Sequence, residues 1–173
     1  VPCFANQIYP VMALAVHGRR TGCEQSLNVG RRVADNLCRL QGRLGQWWWL
    51  YDAADGAVVD GYPVFSVHQD GMAPMSLLET TISGGRSYQK EIEKGLSWIF
   101  GQNELETNLC YAQEGLVLRD IHKTGIGRVR RALRSAAWCH GFAKNQRTVR
   151  TTGHFVINRE CRPYHLGWIL YAA

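Results

Sequence analysis

His68-Gln69-Asp70 and Glu160-Cys161-Arg162-Pro163-Tyr164-His165 are the two stretches of this 173-residue chain whose residue types and spacing suit chemistry. Hydrolysis of a glycosidic bond needs one carboxylic acid to protonate the leaving group and one carboxylate to act as base or nucleophile. Asp70 and Glu160 are the preferred pair, with Asp52 and Asp60 as substitutes. An epimerase or isomerase would instead set His68 and His165 against each other as proton carriers, and a lyase would pair a base with Arg162 to stabilise an enolate. The residues leave these three reactions open.

Each group also has a structural reading. Asp70 stands near the start of an expected helix and can satisfy its first N–H groups. His68 and His165 can be hydrogen-bonded core histidines, and Glu160 with Arg162 can be an ion pair that fixes the last helix.

Trp47-Trp48-Trp49 points to a surface as well as a core, because neighbouring side chains on any regular element diverge. At least one of the three indoles is expected to line a cleft, although together they could simply plug one end of the fold. Sugar rings present C–H faces to indoles and hydroxyls to carboxylates, amides and guanidinium groups. The expected ligand contacts are Trp47, Trp48, Trp49, Tyr51, Asp52, Tyr62, Gln69, Gln7, Arg162 and Tyr164. The ligand expected is a sugar or oligosaccharide, with no cofactor and no bound metal.

The elements that must position these groups read as helices in succession. Apolar spacing predicts helices over Phe4 to Val16, Ser26 to Leu40, His68 to Thr81, Ser87 to Gly101, Ala112 to Ile121, Ile126 to Gly141 and Cys161 to Tyr171. The Gly-, Asp- and Trp-rich stretch Gln41 to Ser66 reads as a long loop, in which Asp55-Gly56 can close a small hairpin. Helices that are nearly uncharged along their bodies alternate with helices charged on one side, the pattern of inner and outer helical hairpins. The fold class expected is therefore all-α: an α/α toroid, a partial ring of about three and a half hairpins. In such a ring the starts of the inner helices meet at one rim, bringing together Asn6, Gln7 and Tyr9; His68, Gln69 and Asp70; Glu106 and Glu114; and Arg159, Glu160, Arg162, Tyr164 and His165.

The elements Gly45-Gln46-Trp47-Trp48-Trp49, Tyr62-Pro63-Val64, Ser66-Val67-His68-Gln69-Asp70, Gly95-Leu96-Ser97-Trp98-Ile99 with Asn103-Glu104-Leu105, and Glu160 to Trp168 resemble the C-terminal part of bacterial proteins similar to the six-hairpin glycosidase-like superfamily of α/α toroids. That resemblance implies a toroid associated with sugar metabolism. An open half-ring would expose two apolar flanks. The expectation is thus a single toroid domain over 1–173 that belongs to a longer protein with an N-terminal half, pairs as a homo-oligomer, or closes a smaller ring.

Other classes are weighed on composition. The formal charge of +6 comes largely from Arg19-Arg20, Arg31-Arg32 and the stretch from Lys123 to Arg150, but those cations lack interleaved stacking aromatics, so nucleic acid is not expected as a partner. No uninterrupted apolar run is long enough to span a bilayer, so no membrane partner is expected either. Six cysteines are scattered without short repeated spacing, which suits free thiols and a cytoplasmic location. Cys139-His140 resembles the adjacent zinc ligands of lanthionine cyclases, with Cys110 the nearest further cysteine, but the turn expected next is replaced by Phe142-Ala143-Lys144. An isoprenoid-cyclase reading lacks its acid clusters. A non-catalytic module that binds carbohydrate or protein is the main alternative to an enzyme.

Overall fold

Helices α1, Phe4–Thr21, and α2, Glu24–Leu40, form a hairpin at the start of the chain in the computed structural model, which describes residues 1–124, Ala136 and 153–172. Phe4, Ile8, Val11 and Ala15 recur at helical spacing and are buried, as are Leu27, Ala34 and Leu37 on α2. Each helix thus presents one apolar stripe inward. Asn6 Oδ1 accepts the Cys3 N–H at 3.1 Å and so helps fix the start of α1.

Beyond α2 the helical pattern stops. Strand β1, Leu50–Tyr51, pairs antiparallel with β2, Val58–Asp60, and the turn between them is closed by Asp52 N–H to Ala57 O at 2.8 Å. Strand β3, Val64–Phe65, then leads into a π-helical turn, His68–Met72, that continues as α3, Ala73–Ile82. Pro74 accounts for the widened turn: it has no N–H to give the Asp70 carbonyl four residues back, and its ring crowds that carbonyl. The Ala73 N–H reaches His68 O instead.

Helix α4 spans Gln89–Ile99. Strands β4, Cys110–Tyr111, and β5, Leu116–Val117, make a second hairpin. Strand β6, Asp120–Lys123, is the centre of a three-stranded antiparallel sheet in the order β3-β6-β7, where β7 is Phe155–Asn158. Helix α5, Pro163–Ala172, closes the described chain.

This mixed α/β fold, with three small sheets, corrects the expected all-α toroid. The stretch from Ala112 to Ile121 is not a helix. Gly115, at φ 65°, makes the turn between β4 and β5, and Val117 and Ile121 take the extended backbone that β-branched residues favour. The stretch from Gln41 to Ser66, expected as a long loop with a small hairpin, carries the β1–β2 hairpin and also β3, which pairs with β6. The regular alternation of inner and outer helices therefore breaks down. Apart from Ala136, the helix expected over Ile126 to Gly141 lies outside the described residues.

One buried apolar cluster joins α1, α2, the Trp run, α3 and α4, with Phe4, Trp47, Tyr51, Leu77, Tyr88, Trp98 and Ile99 at its centre. Gly45 sits at φ 98°, and a Cβ there would stand 2.1 Å from Lys94 O, so only glycine lets the Trp run lie this close to α4. Among the described residues no helix is long and apolar enough to cross a membrane.

Candidate functional site

The three-stranded sheet explains why residues far apart in sequence meet. Strand β3 runs directly into the π-helical turn, β7 runs toward α5, and β6 lies between them. The Ser66 N–H donates to Arg119 O at 2.9 Å, Ser66 Oγ donates to Leu118 O at 2.5 Å, and the Arg119 N–H donates to Asn158 O at 3.1 Å. These bonds tie the segment before His68 to the segment before His165. The π-helical turn then packs against α1, α3, α4, α5 and β3.

Asp70 and His165 are paired there. His165 Nε2 lies 2.6 Å from Asp70 Oδ1, and the two side chains are 5% and 9% exposed. Burial pushes the Asp70 carboxyl above its usual range, while the hydrogen bond and charge of His165 pull it back. Gly71 permits the arrangement, since a Cβ there would come within 2.7 Å of Trp168 Cβ on α5.

His68 lies alongside in an aromatic box. Its ring is 4.7 Å from Phe4, 5.2 Å from Phe65 and nearly parallel to Trp49 at 6.3 Å. Burial, with the neighbouring His165 adding to it, lowers its pKa to about 3, so the imidazole is neutral at physiological pH. His68 Nδ1 is buried and has no hydrogen-bond partner among the described residues. A buried polar atom left without a partner is uncommon.

Around this core stand groups that reach the surface. Tyr9, 38% exposed, packs its ring 5.5 Å from Trp168, and partial burial with nearby Tyr164 raises its hydroxyl pKa. The Cys110 thiol is pushed up by burial first and by the charge of Asp70 second. Among the described residues no group of three His, Cys, Asp or Glu side chains is arranged to hold a metal ion. Cys139 and His140 lie outside the described residues.

The other expected site residues fall into three places. Trp47, Trp48 and Tyr51 are core residues, and Trp49, half-buried, is the one indole of the run beside His68. Gln69 and Tyr62 brace that run. In the orientation that satisfies both ends of its amide, Gln69 donates to Gly45 O at 2.9 Å and accepts from the Trp47 N–H at 3.2 Å. Tyr62 OH donates to Glu104 Oε1 at 2.5 Å. Gln7 and Asp52 line a groove between α2 and the β1–β2 turn, and Tyr164 is exposed near Tyr9.

Glu160 and Arg162 occupy a third place. Glu160 accepts from Arg162 Nε at 2.8 Å and from Arg119 Nη1, and these two bonds hold its carboxyl below the usual range. A general acid must carry a proton near neutral pH, and Glu160 between two guanidinium groups does not. Asp70 is thus paired with His165 and Glu160 with arginines, and no hydrogen bond joins the two expected carboxylates.

Two features escaped the sequence. Glu104 accepts from Gln46 Nε2 at 2.8 Å, Tyr62 OH and Trp98 Nε1 at 2.8 Å, and so knots the Trp run to α4. Its only signal was its place in the Asn103-Glu104-Leu105 element. A second Asp–His pair, Asp120 with His122, lies on β6. Its spacing puts both side chains on one face only if the segment is a strand, and the segment up to Ile121 reads as a helix. Comparison with protein-family models, with curated proteins and with solved structures finds no match.

Proposed function

We propose that the residues around the π-helical turn form an acid–base centre that moves a proton on a sugar, in an isomerisation or epimerisation. His165 takes the proton from the carbon next to the sugar carbonyl, Asp70 orients and stabilises the resulting imidazolium, and neutral His68 donates a hydrogen bond to the carbonyl oxygen. Returning the proton to the neighbouring carbon, or to the opposite face of the same one, completes the reaction with no external oxidant or reductant. The 2.6 Å contact between buried Asp70 and His165 carries this reading. A second imidazole alongside, and the half-buried Trp49 ring for a sugar face, support it.

The described cysteines, Cys3, Cys23, Cys38, Cys110 and Cys161, are free thiols. That supports work in a reducing compartment such as the cytoplasm.

Incubation with a panel of reducing mono- and oligosaccharides, followed by NMR for interconverted products, tests the proposal. Turnover of at least one sugar by the wild type, lost in His165→Asn and Asp70→Asn, is the expected result. Turnover that survives both substitutions, or no turnover by the wild type on any sugar, overturns it.

A further inference from the structure

A groove of about 840 Å³ runs between the outer face of α2 and the turn that joins β1 to β2. It is separate from the Asp70–His165 pair. Gln7, which lines it, and Tyr9, which packs toward α5, are two residues apart on α1 and so point about 200° apart around the helix.

One wall carries donors. Arg32 and Arg39 lie seven residues apart on the same side of α2, about 10.5 Å along its axis. The Arg32 guanidinium has no hydrogen-bond or ion-pair partner among the described residues. Arg39 Nη2 donates to Asn36 Oδ1 at 2.6 Å, which aims that guanidinium along the wall. Asn36 Nδ2 reaches Gly56 O at 3.4 Å, so the same side chain ties α2 to the turn and sets the width of the groove.

The opposite wall carries acceptors. Asp52 and Asp55 are fixed by turn hydrogen bonds, Oδ1 of each accepting the N–H of Ala54 and Ala57 at 2.9 Å. Asp35, at the edge, is already engaged by Arg86 Nε at 3.0 Å and by Tyr88 OH at 3.1 Å.

We infer that this groove binds an anionic sugar, its phosphate or carboxylate gripped by Arg32 and Arg39 and its hydroxyls met by Asp55 and Gln7. A guanidinium with open donors selects a planar or tetrahedral anion. Carboxylates facing it would repel a bare anion and accept from hydroxyls, so the two walls together ask for one ligand with both features. The inference takes its ligand class from the sugar reading above, and its residues from a different place.

Isothermal titration calorimetry with glucose 6-phosphate, glucuronate, glucose and inorganic phosphate tests it. The expected result is saturable binding of glucose 6-phosphate or glucuronate, whichever source of the anion the groove takes, at least tenfold tighter than glucose or inorganic phosphate. Arg32→Gln and Arg39→Gln, both at exposed positions, should each weaken that binding about tenfold, and Asp55→Asn should erase the preference over inorganic phosphate. No binding of either anionic sugar overturns the inference. So does inorganic phosphate binding as tightly as the sugar phosphate, or arginine variants that bind like the wild type. His165→Asn separates the two proposals: it should leave groove binding intact. Groove binding without turnover on the panel overturns the acid–base centre alone, and turnover without groove binding overturns the groove alone.

Discussion

Asp70–His165 and Asp120–His122 are the same two residue types at hydrogen-bond distance, 2.6 and 2.9 Å, yet their surroundings give them different work. Asp120 is as buried as Asp70, so burial of the carboxylate is not the distinction. Both oxygens of Asp120 are occupied, Oδ1 by His122 and Oδ2 by Asn158 at 2.9 Å, and His122 stands two residues along the same strand with 36% of its side chain exposed. Such a pair stitches β6 to β7. His165 reaches Asp70 from 95 positions away in the chain, on another element, and both partners are enclosed. It is this pair, assembled by the fold and with a second imidazole beside it, to which the proposed proton transfer is assigned.

Substitutions can break that contrast, and the largest effect belongs to the enclosed pair. His165→Asn should lower kcat by about 10²- to 10⁴-fold with an unchanged far-UV circular dichroism spectrum, whereas His122→Asn should leave kcat within about twofold. Equal losses in steady-state assays would remove the distinction.

The next two effects concern stability. Gly71→Ala sets a Cβ 2.7 Å from Trp168 Cβ, so α5 must shift, at a cost of about 1–3 kcal/mol, and kcat should fall because His165 moves with it. Asp120→Ala strands Asn158 and His122 and should also cost about 1–3 kcal/mol in urea unfolding, but the protein that remains folded should turn over normally. If Asp120→Ala abolished turnover while the fold stayed intact, the second pair would have to be counted as part of the site.

A pH series sharpens the account of His68. Its folded pKa of about 3 lies below the ordinary 6.5, so as pH falls the unfolded chain takes the proton first. The neutral ring's contribution is complete above pH 6.5 and is lost toward pH 3, at up to about 1.4 kcal/mol per pH unit. Asp70, raised by burial, acts in the opposite sense, because the folded chain takes its proton first. The difference between wild type and His68→Phe isolates the histidine: unfolding free energies from pH 7 to 4 should fall less steeply in the variant. Identical slopes would show that His68 is not the buried neutral group described here. Glu160→Gln should have the smallest effect, since the Glu160 and Arg162 side chains are 42% and 40% exposed, and unchanged thermal melting and kcat are expected.

Helices were legible in the chain where an apolar stripe recurs every three or four residues. On α2 the spacing of Val29, Val33, Leu37 and Leu40 marked the helix, although the buried stripe is Leu27, Ala34 and Leu37 and Val29 is exposed. The Asp55-Gly56 turn was legible because few residue pairs suit it. Strands β3 to β7 were not: each is two to four residues long, too short to show alternation, and the partners of β3, β6 and β7 lie far along the chain. His68, Asp70 and His165 could be singled out by residue type and by their place near helix starts. Their meeting depends on the β3-β6-β7 sheet, whose register no local pattern encodes. The role of Trp49 as the half-buried member of its run likewise follows from tertiary packing rather than from the repeat of three indoles.

Deuterium uptake from solvent at the carbon next to a sugar carbonyl, followed by proton NMR in wild type, His165→Asn and His122→Asn, bears most directly on the enclosed pair as the acid–base centre. Uptake by the wild type and His122→Asn, with loss in His165→Asn, is the result expected. Uptake that persists in His165→Asn, or that disappears equally in both variants, would contradict it.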